Sequence, residues 1–85
     1  MNSANKYNQS DLFFILGTFF YQGKYAIKDY LKARYYYEKA CEYGNTEAYF
    51  HLGDLYKKGL GVEQNYKKAK DYYEISASYN NPNAF

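Results

Sequence analysis

The sequence contains no tryptophan and only one proline, one methionine, one cysteine and one histidine in 85 residues. A lone Cys41 cannot close an intramolecular disulfide. With His51 as the sole imidazole, the chain lacks the nitrogen and sulfur donors of a four-ligand zinc site. Charge of one sign is scarce too: 11 Lys and Arg stand against 9 Asp and Glu, a net charge of +2. That is far from the basic excess that drives non-specific phosphate binding, so nucleic acid is not the expected partner. Long apolar runs are also missing. The longest, Leu12 to Tyr21, is about half the roughly 20 residues of a membrane-spanning helix. Its flanks argue against a secretory signal, because only Lys6 supplies positive charge ahead of it, Asp11 directly precedes it and no small-x-small cleavage site follows. Such a chain reads as one small domain. What it has in abundance is rings: 14 Tyr and 6 Phe supply much of the 47% apolar content, and mean hydropathy stays at −0.79.

The chain repeats itself. At an offset of 36 residues, 13 of the 38 pairs from Leu12/Ala48 through Tyr49/Phe85 are identical, against about three expected by chance for this composition. The identities include Phe14 with Phe50, Leu16-Gly17 with Leu52-Gly53, Gly23 with Gly59, Lys32-Ala33 with Lys68-Ala69 and Tyr36-Tyr37-Glu38 with Tyr72-Tyr73-Glu74. The apolar run at Leu12 is thus the first copy of a segment whose second copy, AYFHLGDLYKK, is plainly amphipathic.

Each copy reads as two helices. In the first helix of copy two, helix A, Ala48, Leu52, Leu55 and Tyr56 recur at i, i+4, i+7 and i+8, one face of a helix with period 3.6. Phe50 lies on the other side, which predicts a helix sandwiched between neighbours. Gly53 inside this helix costs about 1 kcal/mol relative to alanine and so requires a packing reason, close helix approach. Thr46 is placed to cap the helix and Gly59 to end it, with Ser10 and Gly23 in the same roles in copy one. Asp29 and Asn65 stand at the N-caps of the second helices, helix B. There, Tyr30, Ala33, Tyr36, Tyr37, Ala40 and Cys41 match Tyr66, Ala69, Tyr72, Tyr73, Ser76 and Ala77. Gly44 and the Asn80-Asn81-Pro82 segment end them.

These residues carry a resemblance. The segment from Ala48 to Ala84 resembles the Sel-like repeat, a short relative of the tetratricopeptide repeat. Leu52, Gly53, Tyr56, Gly59, Gly61, Val62, Asn65, Lys68, Ala69, Tyr72 and Tyr73 fall where that pattern asks. Copy one keeps Leu16, Gly17, Gly23, Asp29, Lys32, Ala33, Tyr36 and Tyr37, but has Leu12 for the first alanine and Tyr25-Ala26 for Gly-Val. Leu12 speaks against a close-packed full repeat ahead of it. The resemblance implies an all-α superhelix of two helix-turn-helix repeats, about four main helices with a short N-terminal cap. Residues 1–9 are read as the partial cap, 10–45 and 46–81 as the repeats, and 82–85 as the start of a truncated further repeat.

By the same resemblance the function is that of a non-catalytic adaptor holding a peptide or protein. Helical-wheel placement predicts exposed helix-A positions at Thr18, Tyr21 and Gln22 in copy one and at Asp54, Lys57 and Lys58 in copy two. The expected binding strip is Tyr21, Gln22, Asp54, Lys57 and Lys58, flanked by Phe13 and Tyr49; amphipathic helices carry polar backs anyway, so a merely solvated face is the plain alternative. Two other readings stay open: homo-oligomers formed through stacked repeat ends, with Phe85 at the open end, and a weak polyanion binder using Lys57-Lys58 and Lys67-Lys68-Lys70 with interleaved tyrosines. Glu63, Asp71 and Glu74 dilute the second. A Cys41–His51 nucleophile and base pair is outweighed by Cys41 standing at a small-residue position matched by Ala77. The run Tyr35-Tyr36-Tyr37 fans out at 100° per residue and leaves Tyr35 alone free. The glycine loop at 59 to 62 lacks the preceding strand of a phosphate loop. No enzyme, cofactor or metal is expected, and a lone cysteine without a signal favours the cytoplasm.

Overall fold

In the computed structural model the described residues are 2–24 and 26–80, with side chains described from residue 9 to residue 79 apart from residue 25. Four helices follow one another: α1 (Asn2–Gln22), α2 (Tyr30–Glu42), α3 (Glu47–Lys58) and α4 (Tyr66–Asn80). Among the described residues there is no strand. Helices α1 and α2 form one hairpin, α3 and α4 the second, and the two stack through α2 and α3. This is the expected all-α pair of helix-turn-helix repeats.

Side-chain amides and carboxylates start three of the helices. The Asp29 carboxylate accepts from the Lys32 N–H at 3.2 Å, and the Asn65 amide oxygen accepts from the Lys68 N–H at 3.0 Å. For α3 the cap is Asn45, whose amide oxygen accepts from the Ala48 N–H at 3.1 Å; the expected cap Thr46 makes no such bond and has helical backbone angles. An amide one residue earlier thus takes the capping role expected of the Thr46 hydroxyl. Ser10 departs further. It does not start a helix, because α1 runs unbroken from Asn2 past it and buries its side chain to 5% exposure. The Leu12 segment therefore continues a helix that begins ahead of Ser10. The left-handed ends at Gly23 (φ 69°) and Gly59 (φ 71°) are as the sequence requires.

The core is small and built at the seam. Ala33, Tyr37 and Ala40 of α2 cluster with Ala48, Leu52 and Leu55 of α3, all 0–1% exposed. Within each hairpin the close approach asked for by the mid-helix glycines is an approach to a ring. A Cβ on Gly17 would lie 2.8 Å from the Tyr37 ring, and one on Gly53 would lie 2.7 Å from the Tyr73 ring. The hydroxyl of each ring is held by the residue after its glycine: Tyr37 Oη lies 3.0 Å from Thr18 Oγ1, and Tyr73 donates to Asp54 Oδ1. The two arrangements are copies at the 36-residue offset.

The copies differ in confinement. Tyr37 is fully buried, whereas Tyr73 is half-buried and borders open space. Replacing a helical glycine by alanine gains up to about 1 kcal/mol of helix propensity, while overpacking a fixed core costs about 1–3 kcal/mol. Gly17→Ala is therefore expected to lose about 1–2 kcal/mol in urea unfolding, and Gly53→Ala less, because Tyr73 has room to swing. Equal losses in the two melts would show that ring confinement does not set the cost.

Candidate functional site

The helix-A residues expected to form one binding strip fall into two groups. Phe13 and Tyr49 are half-buried between the helices of their hairpins. Phe13 lies 6.1 Å from Tyr36 and 5.3 Å from Tyr43 between ring centroids; Tyr49 lies 6.3 Å from Tyr72 and 5.9 Å from Tyr79. Each belongs to a ring ladder that is closed by Phe20 on Tyr36 in the first hairpin and Tyr56 on Tyr72 in the second. Lys32 lies over Phe20 and Lys68 over Tyr56, at 5.2 and 5.3 Å. Cation–π contact thus tops both ladders at matched positions.

Tyr21 and Thr18 are less free than helical-wheel placement suggests. Tyr21 packs against the core and meets the Tyr30 ring edge-on at 5.7 Å. Thr18 donates to the Phe14 carbonyl at 3.0 Å and also contacts the Tyr37 hydroxyl. Both turn inward because the second helix of the hairpin supplies a hydroxyl or a ring at the right height. Gln22, Lys57 and Lys58 are exposed, and the Lys57 carbonyl accepts from Gln64 Nε2 at 2.8 Å. Phe85 lies outside the described residues.

Asp54 and Lys57 do come together. They line a hollow of about 530 Å³ with Phe50, Tyr73, Ser76 and Ala77. Lys57, Tyr73 and Ala77 also line an adjoining hollow of about 360 Å³, together with Tyr66, Ala69, Lys70 and Glu74. The result is an apolar groove along α3 and α4 with charges at its edges. Phe50, 49% exposed, and Tyr66, 66% exposed, line these hollows and were left out of the strip by the helical wheel. Their signal was present: Phe50 sits opposite the core-facing stripe of α3, and large rings exposed in a row mark interaction surface.

His51 occupies the seam between the hairpins. Its ring stacks on Tyr37 at 5.1 Å and packs against Phe14 at 5.3 Å and Phe50 at 5.8 Å. Burial among these rings pushes its pKa down, only partly opposed by Asp54 and Glu47. Cys41 is not poised for chemistry: burial, then Glu38 and Glu42, push the thiol up to about 12. The nucleophilic thiolate is therefore strongly disfavoured at neutral pH. Burial raises Tyr37, while burial and the bond to Asp54 push Tyr73 up to about 12.

The repeat geometry has relatives. The Sel1 repeat family matches residues 14–45 and 46–80. The chain belongs to that family. Sel1 repeats are in general protein–protein interaction modules on a non-catalytic scaffold. Among solved structures, a Sel1 repeat protein from Oxalobacter formigenes is 30% identical with a TM-score of 0.81, over 96% of this chain and 33% of that one. A protective antigen of uropathogenic Escherichia coli strains, with an SLR fold, is 26% identical with a TM-score of 0.79, over 82% of this chain and 15% of its own. The chain thus spans a third or less of the length of these relatives. No curated protein matches it by sequence. Among the described residues no helix is long and apolar enough to cross a membrane.

The seam imposes a pH dependence. Unfolded, His51 titrates near its usual value of about 6.5; folded, it titrates lower. As pH falls through about 6.5 the unfolded state takes up more protons, so folding stability is full above this point and declines below it. Thermal melts between pH 7.5 and 5 should show the wild-type chain losing more stability than His51→Phe, in which the ring stack persists without a titrating group. Parallel losses would remove His51 as the source.

Proposed function

We propose that this chain is a non-catalytic adaptor module that binds a protein or peptide partner on the surface carrying the exposed helix-A residues of its second repeat. The observation that supports this most directly is the groove in which Asp54 and Lys57 meet Phe50, Tyr73 and Ala77. It combines an apolar floor, rigid rings and a rim of both charges, the composition of a protein-recognition patch. Lys58 extends the rim. The proposed surface also takes in the exposed Gln22 of α1, while Tyr21, Phe13 and Tyr49, packed against other rings, serve as support rather than contact residues.

Reversing the rim charges tests the reading. Lysate proteins retained by the immobilised wild-type chain are compared with those retained by the Lys57→Glu, Lys70→Glu double variant, which leaves the Asp54 anchor of Tyr73 in place. At least one specific partner is expected to be lost or weakened tenfold or more, with an unchanged helical circular-dichroism signal. An identical retained set on a folded variant would show that the face is only solvated surface.

A further inference from the structure

A net charge of +2 conceals a segregation that the fold brings about. The loop between α1 and α2 and the loop between α3 and α4 lie at the same end of the molecule. A Cβ on Gly61 in the second loop would come within 2.6 Å of the Tyr30 carbonyl at the start of α2. Lys24, Lys28, Lys57, Lys58 and Lys67 stand along that edge, all exposed. Of these, Lys28, Lys57, Lys58 and Lys67 have no ion pair among the described residues. The acids there are Glu63 and Asp29, and the Asp29 carboxylate is engaged in capping α2. The opposite end is acidic, with Glu38, Glu42 and Glu47. The cations nearest them, Arg34 and Lys39, are paired with Glu38 and Glu42 at 3.2 and 3.8 Å.

The basic edge also carries aliphatic surface that the fold does not use. Ile27 is 90% exposed and Leu31, four residues on, is 62% exposed. Neither packs against the buried cluster. The second repeat supplies the control, because at the 36-residue offset their counterparts are Glu63 and Lys67, both exposed. Charged residues serve the repeat at these two positions, so isoleucine and leucine there are no packing requirement. Single exposed apolar residues are ordinary. Two of them flanking the start of α2, bordered by lysines, make the mixed apolar and basic face of an interfacial anchor.

We infer that this edge is a peripheral membrane-binding surface for anionic phospholipid. Ile27 and Leu31 enter the boundary between headgroups and acyl chains, and the lysines of both loops meet the negative lipid headgroups. The long lysine stems let the ammonium groups stay at the headgroups as the aliphatic pair goes in. Lysines spread over two repeats around one apolar point fit a continuous charged plane, which meets them all without matching their shape. Nucleic acid fits less well. It takes up the lysines but has no place for two bare aliphatic side chains, and its single strands stack on rings. This surface is separate from the adaptor groove: of the residues named on it, only Lys57 also lines that groove.

The test sediments the full 85-residue chain with sucrose-loaded vesicles. Phosphatidylcholine vesicles containing about 30% phosphatidylserine are expected to carry it down, and pure phosphatidylcholine vesicles are not. Binding to the anionic vesicles should weaken at least tenfold in the Ile27→Glu, Leu31→Lys variant. That exchange installs the second repeat's own residues, so it keeps the net charge and the helical circular-dichroism signal and removes the aliphatic pair alone. Binding should weaken comparably in Lys28→Gln, Lys58→Gln, and again when ionic strength is raised. No sedimentation with anionic vesicles, equal sedimentation with both kinds, or an unchanged affinity of the exchange variant overturns the inference. So does an affinity for a single-stranded oligonucleotide that exceeds the vesicle affinity and ignores the exchange. A solution mass that rises with concentration in the absence of vesicles, and stays monomeric in the exchange variant, would make a second copy the occupant and overturn it too.

Discussion

The fold depends on a ring laid flat against a helix backbone. Tyr37 rests on Gly17 and Tyr73 on Gly53, each at a distance where a single added carbon would collide. That contact fixes how close the two helices of a hairpin can lie, and the hydroxyl at the far end, tied to residue 18 or 54, fixes the ring's direction. The alanines follow from it. With a phenol occupying the middle of the interface, the positions one turn before and after it must be small, and Ala33, Ala40, Ala69 and Ser76 fill them at 0–5% exposure. The remaining rings are displaced outward into the ladders that flank each hairpin. A tyrosine-rich, leucine-poor chain thereby reaches a close-packed interior with few aliphatic side chains.

Most of this was legible in the chain before any coordinates. The 36-residue self-match, the 3.6-residue period and the Asp29 and Asn65 caps locate the helices, and the mid-helix glycines call for a close approach that the rings supply. Where sequence reasoning went astray, the competing physics was local. Thr46 and Asn45 are both good cap residues one position apart, and only the backbone decides which side chain reaches the Ala48 N–H. Ser10 has the chemistry of a cap, but α1 continues through it, and a serine inside a helix looks the same in sequence as a serine that starts one. The candidate surface was legible only in part. Helical-wheel placement puts Asp54 and Lys57 on one face, and both line the same hollow, yet it treats Tyr21 and Thr18 as free because it cannot see the second helix of the hairpin reaching back to them.

The outward faces of the two hairpins are chemically unlike. On α1, Leu12 and Ile15 are exposed aliphatic side chains on a continuous helix. Along α3 and α4, a groove is lined by rings and by charges of both signs. Helical-repeat proteins bury apolar faces between neighbouring units, and the contact between α2 and α3 is that kind of burial, made here from three alanines, two leucines and one tyrosine.

His51 also bears on how the chain loses its structure. Each hairpin carries its own ring ladder, its own glycine–tyrosine contact and its own capped second helix, so each has the makings of an independent cooperative unit. The two are joined by the buried core itself, and one imidazole stands at that seam among Phe14, Tyr37 and Phe50. That seam sets the length over which order is shared. A charge placed on that imidazole is therefore borne where both hairpins meet, and its cost falls on the contact they share rather than on either one alone.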